Sequence, residues 1–471
     1  MPSRRSEIAD ILLLRAVYRL NRLIRPDVTL VLGDLIDYGS SPDAEKNLLQ
    51  IRSILDRLDS PYIAIPGNHD PIPQEFYRVF ERPDEIEDIA GVRLLSFIDQ
   101  EEPGCNARRS EYDLNRFRRA RANYDGKLLS LQHVCLYPPD DREITPYNYS
   151  NADEILRAMA ETGVELSVSG HYHAGGEDTS NGTTMFVNAP GLCEAPFPFL
   201  EIVIDGDQIE TYRHELKMPE HLRLVDNHVH TPLAYCSENM DIERSITLAN
   251  DFGLGGITYT EHSGHLYFSP KRYSNKICLR EGIESSIDAE NRMKTYIDMK
   301  RVHEGERVRF GLEVDCDYQD RILVASQDRD QFDFFVGAMH ALPSLTATKP
   351  PTQDDQDVFL ALLSKLLAQG IDVLAHPFRV FRRSGWCAPR ELFQPTAQLL
   401  REHGVAAEIN FHTNEPHVEF IKDCLTLGVK ISLGSDAHNL AEIGDFAYHL
   451  ALLKEAGFDG ELSDVLYIPH P

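Results

Sequence analysis

The sequence predicts an α/β protein of two domains, a layered α/β sandwich followed by a parallel barrel. Three observations predict it. Short β-branched runs alternate with helix-length segments, seven such runs follow one another in the second half, and a polar stretch, "KMPEHLR", separates the halves after a hairpin-like segment. The 471 residues exceed one typical domain and can bury more than one core. The boundary is placed near residue 221, giving domains of residues 1–220 and 221–471.

Taken in order, apolar residues from Ile8 to Ile24 recur at helical spacing and stop before Pro26, so the chain begins on a helix. "VTLVLGD", "YIAIPGNHD", "KLLSLQHV" and "LSVSGHYH" then read as buried strands, each ending in polar residues. "FLEIVIDGDQIETYRHEL" reads as a hairpin turning at Asp205-Gly206-Asp207. Beyond the linker, "LRLVDNHVH", "GGITYTEH", "VRFGLEVD", "FDFFVGAMH", "IDVLAHP", "VAAEIN" and "KISLGSDAH" are the seven strand-like runs. A parallel barrel built from them gathers its site at the strand carboxyl ends.

Composition narrows the function classes. With 75 acidic and 47 basic residues the formal charge is -28, a field that repels nucleic acid and anionic lipid. The one basic run, "RFRRARANY" from Arg116 to Tyr124, reads as a solvated helix face. Polynucleotides are therefore expected to bind weakly, and nanomolar affinity for long duplex at physiological salt would refute this. The eight cysteines form no CxxC pair, and Glu7, Asp10 and Arg15 interrupt the only candidate leader, so the expected setting is cytoplasmic, with no membrane span.

Four motifs fall at strand ends in the first domain: "GDLID" with Asp34, "GNHD" with Asn68 and His69, "LQHV" with His133, and "GHYH" with His171 and His173. Carboxylate, amide oxygen and imidazole together suit hard or borderline divalent metals. In order and spacing they resemble the calcineurin-like metallophosphoesterases, over roughly residues 1–215. The resemblance implies two metals, with Asp34 bridging them, Asn68, His133 and His171 completing one site, His173 serving the other, and His69 protonating the leaving alcohol or positioning the phosphate. It also implies a first strand ending in Asp-x-His, and no such strand precedes the Ser6–Arg25 helix. Two expectations follow: a written start downstream of the true one, or a half-site that loads one metal and hydrolyses poorly.

In the second half, metal-type residues again follow apolar runs: His228 and His230, His262, Glu313, His340, His376, and Asp436 with His438. Alternation puts i and i+2 on one face of a strand, which explains the pairs. The pattern resembles the polymerase and histidinol phosphatase (PHP) family over nearly all of residues 222–471. That resemblance implies a distorted (β/α)7 barrel with up to three metals. His228, His230, Glu313 and Asp436 would hold the first, Glu313 would bridge to a second on His340 and His376, and Glu238, His262 and His438 would hold the third. Cys236, beside Glu238, reads as a bystander thiol with soft ligation as the alternative.

Arg379, directly after "AHP", offers a guanidinium of the right geometry for phosphate, and so to a lesser degree do Arg382 and Arg383. His265, His412 and His417 lack partners at ligand spacing and read as exposed or supporting residues. The expectation is a metal-dependent hydrolase of phosphate esters, using Mn, Zn or Fe, two ions in the first domain and three in the second, on a small phosphorylated substrate. Rival expectations are a nuclease or nucleoside-bisphosphate phosphatase, and a nucleotide-sensing module with an inactive first domain.

Overall fold

The computed structural model describes residues 4–138, 141, 147–283 and 287–469. It divides into two compact units, Met1–Leu216 and Lys217–Pro471.

The first unit opens on helix Ala9–Arg19, which carries Asp10 in its first turn and Arg19 in its last, the charge order that favours a helix macrodipole. It runs on as a wider turn, Leu20–Ile24, and ends on a left-handed Arg25 before Pro26. Strands β1 (Thr29–Val31) and β2 (Tyr62–Ala64) pair in parallel. A larger sheet joins β3 (Glu87–Ile89), β4 (Val92–Ser96), β7 (Lys127–Leu131), β8 (Leu166–Ser169), β9 (Thr179–Ser180) and β10 (Met185–Asn188) in the order β3-β4-β7-β8-β10-β9. Between β4 and β7 in sequence lies a small hairpin, β5 (Gln100–Glu102) with β6 (Asn106–Arg108). The expected hairpin at the end of the unit is β11 (Pro198–Asp205) with β12 (Gln208–Glu215).

Apolar side chains of β7 and β8 (Leu129, Leu131, Val168) pack with Ile63 of β2, with Ile65 just after it and with Ile202 of β11, so sheet faces sheet. Helices Glu111–Arg121 and Ala152–Thr162 contribute Phe117, Ala120, Ile155 and Met159 to a second core with Leu95 and Leu128. Helix Ala44–Leu55 contributes to a third with Ala64 and Phe76. The result is the layered sandwich expected. Residues of β1 and β11 also line an apolar cavity of about 1070 Å³, and Leu30, Leu200 and Ile202 along it stay only half-buried.

The basic helix face is less solvated than its sequence suggests. Arg116 is buried with its guanidinium 4.1 Å from the Phe97 ring centre, and Arg121 donates to the carbonyls of Thr162 and Gly126. Those arginines pack their own domain.

The second unit is a seven-stranded parallel barrel in sequence order: β13 (Val225–Val229), β14 (Gly256–His262), β15 (Val308–Asp315), β16 (Phe335–Ala338), β17 (Val373–Leu374), β18 (Ala406–Ile409) and β19 (Ile431–Leu433). Each strand falls in one of the seven runs. Closure passes from β13 to the segment after β19, where Asp436 N donates to His228 O at 2.7 Å and His230 N to Ala437 O at 3.1 Å. Such strands are buried on both faces, which is why they read as nearly unbroken apolar runs. Among the described residues no helix is long and apolar enough to cross a membrane.

Candidate metal centres

In the first unit, the turn after β1 carries Asp34, the turn after β2 carries Asn68 and His69, and those after β7 and β8 carry His133 and His171. They converge. His133 Nε2 lies 3.4 Å from Asp34 Oδ2, 3.1 Å from Asn68 Oδ1 and 3.0 Å from His171 Nδ1. His133 Nδ1 stands 2.6 Å from Leu32 O, a contact that directs Nε2 into the cluster. Gly67 makes the approach possible, because a Cβ there would stand 2.2 Å from Asp34 Oδ1 and 2.6 Å from His133 Cε1.

Burial works to raise the pKa of Asp34, but the hydrogen bond and charge of His133 overcome it and hold the group at about 2. Burial, then His133, lower His171 to about 4, so its imidazole is neutral at pH 7 with a lone pair to give. Its Nε2 is buried without a hydrogen-bond partner.

His69 stands apart: its amide donates to Asp34 Oδ1 at 2.8 Å while its ring contacts Asp37 O at 3.0 Å. His173 faces Glu194, with Nδ1 3.1 Å from Oε1, and is not in the Asp34, His133 and His171 group. Asp70, not anticipated from the sequence, accepts from the amides of Leu35 and Gly67, at 2.9 Å each, and so ties the β1 and β2 turns together. Its signal was the carboxylate closing "GNHD".

In the barrel, Glu313 at the end of β15 is the hub. His376 Nε2 lies 2.9 Å from its Oε1 and His340 Nε2 3.3 Å, while His228 and His230 place Nε2 3.7 Å from its Oε2, which also meets His262 Nδ1. Asp436 Oδ1 lies 2.8 Å from His230 Nε2 and 3.5 Å from His228 Nε2. Among the described residues, four groups in the barrel bring ligand atoms within 4.8 Å of one another: His228, His230 and Asp436; His262, Glu313 and His340; His230, His262 and His438; and Cys236, His262 and His265.

Residues 8–175 match the family model for calcineurin-like phosphoesterases, and residues 226–412 match that for the PHP domain. The chain joins a calcineurin-like phosphoesterase domain to a PHP domain. It is a metal-dependent hydrolase of phosphate esters. Among solved structures it is similar to a histidinol phosphate phosphatase from Lactococcus lactis complexed with zinc, L-histidinol and phosphate, at 18% identity and a TM-score of 0.35 over 50% of this chain and 95% of that one. It is also similar to a dimetal phosphatase from Danio rerio, at 16% identity and a TM-score of 0.35 over 45% of this chain and 88% of that one. No curated protein matches it.

The PHP cluster fits cations on its own geometry. Nε2 of His228, His340 and His438 is buried without a hydrogen-bond partner, a costly arrangement unless another partner meets it. Burial first, then Arg379, push His376 down to about 3, and burial first, then His230, push His438 down to about 4, so both offer neutral imidazoles. Burial opposes charge on Glu313, yet His262 and His340 hold its pKa well below the usual range.

Carboxylates stand behind three of these histidines: Glu408 Oε1 is 2.7 Å from His228 Nδ1, Glu261 Oε1 3.4 Å from His230 Nδ1, and Asp315 Oδ2 3.0 Å from His340 Nδ1. Such partners orient a ligating imidazole and fix its tautomer. Glu408 further accepts from His376 N at 2.8 Å and Asn410 Nδ2 at 3.0 Å. Gly434 clears its place, since a Cβ there would stand 2.0 Å from Glu408 Oε1. An acidic residue inside an apolar run such as "VAAEIN" is the signal that finds Glu408.

Two expectations need correction. Glu238 is not grouped with His262 and His438, and its Oε2 accepts from Asn439 Nδ2 at 2.8 Å. Arg379, expected to meet phosphate, is instead engaged within the protein: it is 1% exposed, and its Nη2 donates to Asp436 Oδ2, to Asn410 Oδ1 at 3.0 Å and to His412 O at 2.7 Å. Helix Arg379–Arg383 begins with its first side chain buried against Asp436. Arg379 therefore braces Asp436, while Arg382 reaches Glu415 on the surface.

Backbone conformation marks the same places. Asp34, His171, His376 and Asp436 hold φ of 56°, 67°, 28° and 54°, in the region that favours glycine.

Proposed function

We propose that the PHP domain hydrolyses phosphomonoesters of small metabolites or nucleotides, with the calcineurin-like domain contributing little turnover in this chain. The observation that carries this reading is the convergence of five histidines on Glu313, with buried ring nitrogens among them that make no hydrogen bond. Divalent cations, drawn from Mn, Zn or Fe and up to three in number, would supply positive charge beside phosphate oxygens and make a water acidic enough to attack near neutral pH.

His228, His230, Glu313 and Asp436 would hold one ion, and Glu313 with His340 and His376 a second. His262 and His438 would share the third. Arg379 keeps Asp436 charged and aimed by direct contact.

In the calcineurin-like domain, Asp34, Asn68, His133 and His171 would hold one ion. The turn of His173 toward Glu194 and the cavity between β1 and β11 support a weakly loaded second position and a low rate. The expected setting is cytoplasmic.

The test is a panel of phosphomonoesters, histidinol phosphate among them, with phosphodiesters and short oligonucleotides, run on the full chain with each metal. Monoester turnover is expected to collapse in His228→Ala and to survive in Asp34→Asn. Turnover unchanged in His228→Ala, with metal-free protein as control, overturns the assignment to the PHP domain. Preference for oligonucleotides would favour the nuclease reading.

A further inference from the structure

The mouth of the barrel carries positive charge that the Glu313 cluster does not use. Tyr273 lies on the short helix Pro270–Ser274 and Lys276 just beyond it, both in the excursion between β14 and β15. Outward from the cluster, the ring centres of His262 and His265 are 4.3 Å apart, those of His265 and Tyr273 are 4.5 Å apart, and Lys276 Nζ stands 4.8 Å from the Tyr273 ring centre. A line of contacts thus runs from the centre to the rim.

Arg383 approaches from the β17 side. It ends helix Arg379–Arg383, four residues beyond Arg379 and so on the same side of the helix, one turn out from the side chain that braces Asp436. Burial first, then the charges of Asp315 and Glu313, raise the Tyr273 phenol well above its usual range, with Arg383 opposing them. The hydroxyl therefore sits within reach of all three charges and keeps a proton to donate.

Neighbouring charges are already matched. Arg272 Nη1 donates to Asp288 Oδ1 at 2.6 Å, Arg382 Nη1 to Glu415 Oε2 at 2.6 Å, and both oxygens of Asp315 meet His340. Among the described residues Lys276 and Arg383 form no ion pair, in a chain whose formal charge is -28. Lys276 is moreover held at φ 54°, a conformation that a side chain adopts at a cost.

From this placement we infer that Tyr273, Lys276 and Arg383 form an anion subsite beside the metal centre, which takes a second anionic group of the substrate, carboxylate or phosphate, while the scissile phosphate lies on the metals. Lys276 supplies a point charge, Arg383 a planar fork and Tyr273 a hydroxyl donor. The preferred substrate is then a small phosphomonoester with two anionic ends. Esters with a cationic tail, histidinol phosphate included, are poor ones. The inference rests on the reading of the PHP domain as a phosphomonoesterase and adds the choice of substrate to it.

The test uses the full chain with whichever of Mn, Zn or Fe supports turnover of p-nitrophenyl phosphate. Phosphoglycerate is compared with glycerol phosphate, a hexose bisphosphate with the matching hexose monophosphate, and phosphoethanolamine serves as the cationic-tailed ester. In the wild type, kcat/KM is expected to favour the doubly anionic member of at least one pair by about tenfold or more. A preference in the first pair names the second group as carboxylate, and one in the second pair as phosphate. Lys276→Gln and Arg383→Gln should each bring that ratio toward one, chiefly by raising KM for the doubly anionic ester. Tyr273→Phe should lower the ratio less. Lys422→Gln, exposed on helix Val418–Leu427, should leave it alone. A merely structural role would slow both members of a pair alike and leave the ratio standing.

A wild type that hydrolyses p-nitrophenyl phosphate but shows no preference in either pair, or prefers phosphoethanolamine or histidinol phosphate, overturns the inference and leaves the phosphomonoesterase reading intact. A preference that survives in both Lys276→Gln and Arg383→Gln overturns it as well. Protein that turns over no monoester with any of the metals sinks the reading of the domain and the subsite together.

Discussion

Replacing Glu313 with Gln is expected to strip cations from the PHP domain and to lower phosphomonoester turnover about 10³-fold, a loss of several kcal/mol of transition-state stabilisation. The carboxylate faces His228, His230, His262, His340 and His376 at once. An amide there keeps the shape, removes the charge and turns an NH₂ toward nitrogen donors. Metal analysis after gel filtration should show at least two equivalents missing, with far-ultraviolet circular dichroism unchanged. Retention of full metal and rate would remove Glu313 from the centre of the reading.

Glu408→Ala should act differently, on the fold as well as the metal. It leaves His228 Nδ1, the amide of His376 and Asn410 Nδ2 without the acceptor they share in a buried place. Breaking such a buried pair costs about 3–5 kcal/mol, roughly 10 °C of melting temperature at about 2–4 °C per kcal/mol for a domain of this size. Glu408→Gln keeps the volume and one acceptor, so its melting point should fall less, but zinc affinity should drop about 10–100-fold. The alanine variant is read by calorimetry and the glutamine variant by competition with a zinc chelator. A glutamine variant that binds zinc like the wild type would show that Glu408 is a packing residue only.

The strand ends of the PHP domain were legible because a polar residue after an apolar run is a local signal, and so is the i, i+2 pairing of His228 with His230 and of Asp436 with His438. The four-residue convergence in the first domain was legible for the same reason. What stayed hidden depends on partners far along the chain. Glu408 meets His228 across 180 residues, and Glu261 meets His230 across 31. Cys236 and His265 looked isolated because their meeting place exists only once β13 and β14 lie side by side. Glu238 looked like a ligand because a loop carboxylate near H-x-H has the right chemistry, and only the position of Asn439 shows where it is used. Arg379 looked like a phosphate clamp because sequence does not reveal which way a helix start faces.

The left-handed backbone at Asp34, His171, His376 and Asp436 carries a consequence for how this protein would change under selection. A side chain held there costs about 1–2 kcal/mol relative to glycine, and each of these is also a polar group drawn toward others of its kind. A library screened for heat resistance alone, with no substrate present, would be expected to enrich glycine at Asp34, His171 and His376, but not at Asp436, whose loss would leave the buried Arg379 guanidinium without its carboxylate. The hardiest descendants would be the inert ones. Sequencing such survivors would therefore outline the working residues without any assay of chemistry, as the positions where robustness and usefulness pull in opposite directions.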